Sequence, residues 1–366
     1  ILNTPQIVPF IPLFGVMMFI NSFLVICEQI IRGLQEVKKS TMINTFLRIP
    51  LKVALTMLFF SMGWGLYGFI ISEFLAALLA LILLLILIKK SLPYFQRYVL
   101  KFPLFNEEEK KYSLNLLITN CVYALGSHGD KIILIYYLSI SELGIYSVAL
   151  TIATFVPLVL ASVNSIFSPI VSQLYSQNKL KELKYYFQLS GRFVFILSFP
   201  LIVFIFLFTE PIMGLFGNDF IKGANLLSLI ILGQFINISM GSVGLMLQMT
   251  GLERPMRNIL ITSSIISFSL YFLFIESWGL VGLGTVYVFN NLFQNFACTY
   301  ILNKRLNIFL FQKEYVKVFL LFLALAIILF LFFNNVIFSV GPFKLMILLF
   351  IIYIIFFFLW MLFFSK

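Results

Sequence analysis

Charged side chains are scarce in this sequence: Asp, Glu, Lys and Arg make up only 11% of its 366 residues. A soluble domain contains about 25% charged residues and about 45–50% apolar ones. Here 61% of the residues are hydrophobic, and the mean hydropathy is +1.06. Too few polar residues are present to cover a globular surface, which excludes a soluble enzyme and a disordered chain. The composition predicts an all-α polytopic membrane protein.

Cysteine and histidine are also rare. The three cysteines, Cys27, Cys121 and Cys298, lie within apolar runs, which excludes a disulfide framework. His128 is the single histidine, and it leaves no second imidazole for a His-based metal site. The sequence also has no phosphate-binding loop of the GxxxxGKS/T type, which argues against direct use of ATP. We therefore expect no metal and no cofactor.

Long apolar runs dominate the sequence instead. A transmembrane helix needs about 20 apolar residues, and by that measure the chain contains about eleven of them. Named A to K in chain order, the helices are predicted at 7–27, 42–62, 66–88, 113–139, 144–175, 189–209, 224–250, 257–276, 280–302, 316–334 and 344–364. Helix E, at 144–175, is too long for one membrane thickness, and Pro157 and Pro169 predict that it kinks.

The basic residues follow a regular pattern along the chain. Most of the 25 Lys and Arg residues, which outnumber 14 Asp and Glu residues, fall in or beside every second loop: A/B, C/D, E/F, G/H and I/J. Because cytoplasmic loops are enriched in Lys and Arg, these loops and the C-terminus are predicted to be cytoplasmic, and nucleic acid is not an expected partner. The pattern also places Ile1 outside, so we expect an odd number of further helices before it.

An internal repeat predicts the architecture. Helix G is the sixth helix after A, so the two copies have the same orientation, as in parallel repeats about an axis normal to the membrane. We predict two parallel six-helix lobes, the first truncated by three helices. The segments are 1–112 (A–C and a cytoplasmic linker), 113–303 (D–I) and 304–366 (peripheral helices J and K). The repeated motifs are FIN (19–21), RGLQEVKK (32–39) and GWGLYG (63–68), against FIN (235–237), TGLERPMR (250–257) and SWGLVG (277–282).

Several predicted helices carry polar side chains at helical spacing. Polar and charged residues are costly inside a membrane, and they normally face protein or a water-filled cavity. The residues are Asn44, Arg48, Lys52 and Thr56 on B, Glu73 on C, Asn120, Tyr123, Ser127, Asp130 and Lys131 on D, Gln234 and Asn237 on G, and Asn291 and Gln294 on I.

Each of these groups also has a purely structural interpretation. The stripes on G and I are then hydrogen bonds between packed helices. Arg48 and Lys52 extend along the membrane to the cytoplasmic surface. Asp130 and Lys131 form a buried ion pair, and Glu73 is a hydrogen-bonded structural carboxylate.

Five segments carry a resemblance to a known family: IIRGLQEVKKS (30–40), GDKIILIYYLSISELGIYSVALTIA (129–153), SPIVSQLYSQNKLKEL (168–183), TEPIMGLFGNDF (209–220) and GQFIN (233–237). They resemble bacterial polysaccharide-repeat flippases of the Wzx type, which belong to the multidrug/oligosaccharidyl-lipid/polysaccharide exporter superfamily. This resemblance implies two six-helix lobes with extra C-terminal helices, and it implies a transporter rather than an enzyme.

The resemblance also implies a function. The expected substrate is an oligosaccharide repeat unit linked to undecaprenyl pyrophosphate, moved from the cytoplasmic to the outer leaflet of the bacterial inner membrane. This step serves O-antigen, lipopolysaccharide or capsule synthesis. Membrane lipid, a polysaccharide polymerase and chain-length proteins are the expected partners.

Site residues follow from the chemistry of that substrate. Cations suit a diphosphate, and amides and phenols suit sugar hydroxyls. The candidates for the phosphate are Arg48, Lys52 and Lys131; for the sugar Asn120, Tyr123, Gln234, Asn237, Asn291 and Gln294; and for ion coupling Glu73 and Asp130.

Two other functions compete with the flippase. A drug antiporter of the same superfamily, coupled to cations or protons, favours acidic cavity residues, whereas Arg48, Lys52 and Lys131 outnumber Glu73 and Asp130. A membrane-embedded polymerase or acyltransferase needs a large loop with catalytic residues. The longest predicted loop, C/D, is a short cytoplasmic segment of Lys and Glu, which argues against such an enzyme.

Overall fold

The computed structural model describes residues 10–33, 37–91, 137–310 and 313–333, with 106, 107, 110, 114, 134, 344, 347, 348, 351–356 and 358 as further short stretches. The chain forms two compact units, Ile1–Lys110 (unit 1) and Lys111–Lys366 (unit 2). All regular elements of the described residues are helices. Most of predicted helix D and about half of helix K lie outside the described residues.

Unit 1 is built on the packing of its first helix against its last long one. Leu24 and Ile31 of α1 are buried with Ala80 and Leu84 of α4, and the small alanine side chains let the two helices approach closely. No residue of α3 is buried among the described residues of the chain. The elements are α1 (Ile11–Gly33), α2 (Val37–Thr41), a π-helix (Met42–Arg48), α3 (Ile49–Ser61) and α4 (Gly65–Ser91).

The π-helix has a cause in the sequence. Pro50 lies at the start of α3, has no N–H to donate, and crowds the carbonyl of the residue four positions earlier. The regular α-helical ladder is therefore interrupted just before it. Over Met42–Arg48 the backbone takes the wider form with i→i+5 hydrogen bonds, which is rare and often found at functional sites.

Unit 2 contains most of the described helices. In chain order they are α5 (Ile140–Ala153), α6 (Phe155–Ser176), α7 (Leu180–Leu207), α8 (Thr209–Gly214), a 3₁₀-helix (Asn218–Gly223), α9 (Ala224–Ser239), α10 (Val243–Met249), α11 (Glu253–Leu306) and α12 (Lys313–Phe333). Residues 351–356 of predicted helix K are also helical.

Two predicted spans are interrupted in the structure, and two others are joined into one bent helix. Helix E divides into α5 and α6 at Thr154, three residues before Pro157, as the predicted kink requires. Helix G, predicted as one span, divides into α9 and α10 around Gly241, which has a φ of +63°. Helices H and I are the two halves of α11, separated by Gly279 with φ 53° and ψ −129°.

The described part of the chain contains seven helices that are long and apolar enough to cross a membrane. One of these, α11, comprises the two predicted spans H and I. The all-α polytopic fold class is therefore confirmed. The total of about eleven spans and the lobe boundaries stay predictions, because helices D and K fall largely outside the described residues.

An aromatic cluster packs predicted helix J, which is α12, against α7 within unit 2. The ring centroid of Phe195 on α7 lies 5.6 Å from the centroids of both Tyr315 and Phe319 on α12. The ring of Phe322 is stacked on Phe195 at 6.1 Å between centroids. Tyr315 and Phe322 are almost completely buried, whereas other α12 side chains are exposed. An apolar cavity of about 270 Å³ lies beside this cluster, lined by α7, α9 and α12.

Both copies of the repeat have a positive-φ glycine after the tryptophan of their Trp-Gly-Leu motif. Gly65 has a φ of 52° and Gly279 a φ of 53°, a region that residues with a Cβ rarely adopt. In unit 1, Trp64 stacks on a phenylalanine, Phe59, at 5.0 Å between ring centroids. In unit 2, Trp278 stacks on Phe274 at 4.8 Å. The sequence repeat therefore corresponds to a repeated positive-φ glycine beside a stacked tryptophan.

Candidate functional site

A group of charged and polar side chains lies within unit 1, and we call it the ionic cluster: Asn21, Arg48, Lys52 and Glu73. Arg48 Nη2 donates to Glu73 Oε1 at 2.7 Å and to Asn21 Oδ1 at 2.9 Å. Lys52 Nζ lies 2.5 Å from the other carboxylate oxygen, Oε2 of Glu73. Glu73 of α4 thus contacts the π-helix and α3 directly, and α1 is linked to it through Arg48.

Local structure explains why these side chains converge. Arg48 ends the π-helix and Lys52 follows it by one turn of α3, so both point to the same side. Lys52 Nζ also lies over the ring of Phe69, 5.0 Å from its centroid, where the aromatic face attracts a cation. The side chains of Arg48, Lys52 and Glu73 are 20%, 32% and 14% exposed. The cluster is therefore largely enclosed, yet it can still be reached.

The ionic cluster holds two cations and one carboxylate. Glu73 keeps Arg48 and Lys52 from being unpaired charges in an apolar span, where an unpaired charge is costly. One positive charge nevertheless remains uncompensated inside the cluster. Such an arrangement can exchange its internal carboxylate for an anionic ligand, because the guanidinium and ammonium groups suit phosphate oxygens as well as carboxylate oxygens.

A second polar contact lies one helical turn before Arg48. Asn44 Nδ2 donates to Glu28 Oε1, which links the π-helix to α1. The other amide atom, Asn44 Oδ1, is buried and has no hydrogen-bond partner. Three members of the predicted stripe on helix B, Asn44, Arg48 and Lys52, thus each contact an acidic residue on a neighbouring helix.

Polar residues of unit 2 form a separate group, which we call the amide network: Gln234, Asn237, Tyr287 and Asn295. Gln234 Nε2 donates to the hydroxyl of Tyr287 at 2.6 Å. Asn237 Nδ2 lies 3.5 Å from Gln234 Oε1, and Asn295 Nδ2 lies 3.4 Å from Asn237 Oδ1. The network joins α9 to the second half of α11 without any charge.

The remaining amides of the sugar prediction make contacts of their own. Gln294 Nε2 donates to Ser263 Oγ at 2.7 Å, which links the two halves of α11. Asn291 Nδ2 donates to the carbonyl of Tyr287 on its own helix at 3.0 Å. Hydrogen bonding between helices, the structural interpretation of the G and I stripes, therefore describes Gln234, Asn237 and Gln294. Their predicted contact with sugar stays a prediction.

Four predicted site residues cannot be placed. Asn120, Tyr123, Asp130 and Lys131 on helix D lie outside the described residues, so their roles stay predictions. Among the residues that the structure describes, no three His, Cys, Asp or Glu side chains are grouped to hold a metal ion.

Sequence reasoning missed two members of the unit 1 site, Asn21 and Glu28. A signal for both was present. Asn21 ends the FIN motif that recurs at Asn237, and Glu28 follows Asn21 by seven residues, two turns later on the same face of α1. The repeated FIN motif is therefore the sequence signal that indicates Asn21 as a site residue.

The fold and the site together define a class of protein: a polytopic helical membrane protein that keeps ion pairs and amides inside its spans, as transporters of polar cargo do. The family described as polysaccharide biosynthesis protein has a sequence model that matches residues 1–223. This match covers more than half of the chain, and the chain therefore belongs to that family. The family resemblance predicted from the sequence is confirmed.

The fold is also similar to a solved structure, the lipid II flippase MurJ in an inward closed conformation. The TM-score is 0.71 at 13% sequence identity, and the similarity covers 95% of this chain and 73% of the flippase chain. At this identity the likeness concerns the fold alone. A search of curated proteins finds no match to the sequence.

Proposed function

We propose that this protein translocates oligosaccharide repeat units linked to undecaprenyl pyrophosphate from the cytoplasmic to the outer leaflet of the bacterial inner membrane. The movement occurs by alternating access and supplies surface polysaccharide biosynthesis. Membership of a polysaccharide biosynthesis family and a fold shared with a lipid II flippase support the proposal. Both are features of transporters rather than catalysts. A polysaccharide polymerase and chain-length proteins are the proposed partners that use its product.

The ionic cluster is the observation that carries this proposal. A diphosphate is doubly charged, and it can cross an apolar span only against fixed cations that replace its water. Arg48 and Lys52 supply two such cations on adjacent turns, and Glu73 holds them in place between substrates. In the proposed binding step the diphosphate displaces the Glu73 carboxylate from one or both cations. The excess of cations over carboxylates also speaks against the drug or cation antiporter.

The uncharged amide network suits the saccharide part of the same substrate. Each carboxamide has two N–H donors and an oxygen with two lone pairs, so Gln234 and Asn237 keep hydrogen-bonding capacity beyond their mutual contact. Sugar hydroxyls are both donors and acceptors, and they match such groups without a cost in unpaired charge. Glu73 and Asp130 remain the proposed ion-coupling residues, with Lys131 as a third phosphate partner.

The test measures flipping by the full-length protein in proteoliposomes that contain a lipid-linked oligosaccharide. Arg48→Gln and Lys52→Gln should each lower the flipping rate about tenfold or more, because each removes one cation from the diphosphate. Lys222→Gln is the matched control, since Lys222 is an exposed lysine that also pairs with a carboxylate, Asp219 at 3.3 Å. An unchanged rate in the Arg48→Gln/Lys52→Gln double variant, at normal abundance, would overturn the proposal.

A further inference from the structure

Predicted helix G contains a break that is buried in unit 2. Helix α9 ends at Ser239, α10 begins at Val243, and Gly241 between them has a φ of +63°. Residues 239–243 are all almost completely buried. The last carbonyls of an α-helix have no partner within that helix, so a break inside a membrane protein needs donors from elsewhere.

The segment after α11 supplies such a donor. Tyr315, at the start of α12, donates its hydroxyl to the carbonyl of Ser239 at 2.7 Å. Before it, Asn307 ends α11 with a φ of 53°, and Gln188 of α7 donates to the carbonyl of Phe309 at 2.7 Å. We call residues 307–310 together with Tyr315 the strap. The strap lies against the break and is held there at both ends.

Two glycines make room for the strap. A Cβ on Gly191 would lie 2.5 Å from Leu310 Cδ1, and a Cβ on Gly241 would lie 3.3 Å from both Leu310 Cδ2 and the Cα of Gly191. Leu310 itself is almost completely buried. The side chain of Leu310 therefore occupies the space between α7 and the break, which larger residues at either glycine would close.

The two sides of the break are bonded to different helices. On the α9 side, Gln234 and Asn237 are joined to the second half of α11 through the amide network. On the α10 side, Ser242 donates its hydroxyl to Asn164 of α6. Both α9 and α10 also pack against α11, so a change of angle at the break would shift their contacts with α11 and with α6.

We propose that residues 240–242 form a hinge in unit 2 and that the strap is its latch. The Tyr315 hydroxyl satisfies the carbonyl that the break leaves open, and Leu310 fills the space into which the backbone of Gly241 would move. The hinge bends only when the strap moves with it, which couples α12 to the rearrangement of α9 and α10. This inference goes beyond the proposed substrate and does not depend on it.

Hydrogen exchange of the full-length protein in nanodiscs tests the latch, without any substrate. Tyr315→Phe removes only the hydroxyl, so amides in the region 236–246 should exchange about tenfold faster while those of α4 stay unchanged. Tyr353→Phe is the matched control: Tyr353 also donates to a backbone carbonyl, Leu197 at 3.2 Å, but inside the continuous helix α7. It should leave exchange at 236–246 unchanged.

A second pair of variants tests the apolar part of the strap. Leu310→Ala should also accelerate exchange at 236–246. Leu227→Ala is the control and should not, because it truncates an equally buried leucine of α9 that lies about three turns before the break. The proposal is overturned if Tyr315→Phe leaves the region 236–246 as protected as Tyr353→Phe does. A uniform loss of protection throughout unit 2 in Tyr315→Phe or Leu310→Ala would also overturn it, because the strap would then be ordinary core packing.

Discussion

Equivalent positions of the internal repeat hold charged side chains in unit 1 and uncharged ones in unit 2. Counted without a gap from Trp64 and Trp278, Glu73 on α4 corresponds to Tyr287 on α11. The FIN motifs pair Asn21 with Asn237, two identical side chains that have different partners. In unit 1 the Asn21 oxygen accepts from a guanidinium, whereas in unit 2 the Asn237 oxygen accepts from another amide.

The comparison shows that two copies of one sequence repeat support two kinds of chemistry. Both copies share a positive-φ glycine and a stacked tryptophan, although their backbones differ elsewhere, by the π-helix in unit 1 and the break at Gly241 in unit 2. A charge in an apolar span requires a partner, and a cluster of charges is stable only as a set. Neutral amides hydrogen-bond with one another in pairs, and the loss of one partner costs much less free energy. Loss of one member should therefore cost far more in unit 1 than in unit 2.

The largest expected effect belongs to Glu73→Ala in the full-length protein. Removal of the shared carboxylate leaves Arg48 and Lys52 without their counter-ion, which should lower the free energy of unfolding by on the order of 2–3 kcal/mol, allowing for their partial exposure. Unfolding in bicelles by added detergent measures this quantity.

A triple variant, Arg48→Met/Lys52→Met/Glu73→Ala, separates charge imbalance from lost packing. It should recover most of the stability, because no unpaired charge remains. If the triple variant is as unstable as Glu73→Ala, the ionic cluster matters for packing rather than for charge, and the contrast between the two units disappears.

A smaller effect, equal in both units, is expected at the repeated glycine. Gly65→Ala and Gly279→Ala place a Cβ on a backbone with φ near +53°, which should cost about 1–2 kcal/mol in each case. Gly144→Ala is the control, because Gly144 lies within α5 and a Cβ there meets nothing within 4 Å. Unequal losses at Gly65 and Gly279 would show that the two turns are not structurally equivalent.

Sequence patterns predicted the parts of this molecule that depend on local spacing. Apolar length predicted the spans, and steps of four residues predicted that Asn44, Arg48 and Lys52 share a face. Pro157 predicted the break in helix E. These features follow from helix geometry and from the missing N–H of proline, which act within a few residues.

Features that depend on distant residues were not predictable in this way. The break in helix G exists beside Leu310 and Tyr315, which lie some 70 residues further along the chain, and nothing local to Gly241 indicates them. The pairing of Glu73 with both cations likewise requires the angle between α3 and α4. Sequence reasoning identified Glu73 as an isolated charge because its partners belong to another helix.

The smallest expected effect is that of Tyr287→Phe, at the position equivalent to Glu73. The variant removes the hydroxyl that accepts from Gln234 Nε2 at 2.6 Å and keeps the ring, which lies against Gly233. Hydrogen bonds between membrane helices contribute about 0.6 kcal/mol on average, and Gln234 retains its contact with Asn237. The same bicelle unfolding measurement should therefore show a loss several times smaller than that of Glu73→Ala. Tyr300→Phe serves as control, because Tyr300 is exposed and its ring still faces Lys304. If Tyr287→Phe lowers the free energy of unfolding as much as Glu73→Ala does, the amide network depends on each of its members as strongly as the ionic cluster does. The two units would then differ in charge but not in cooperativity.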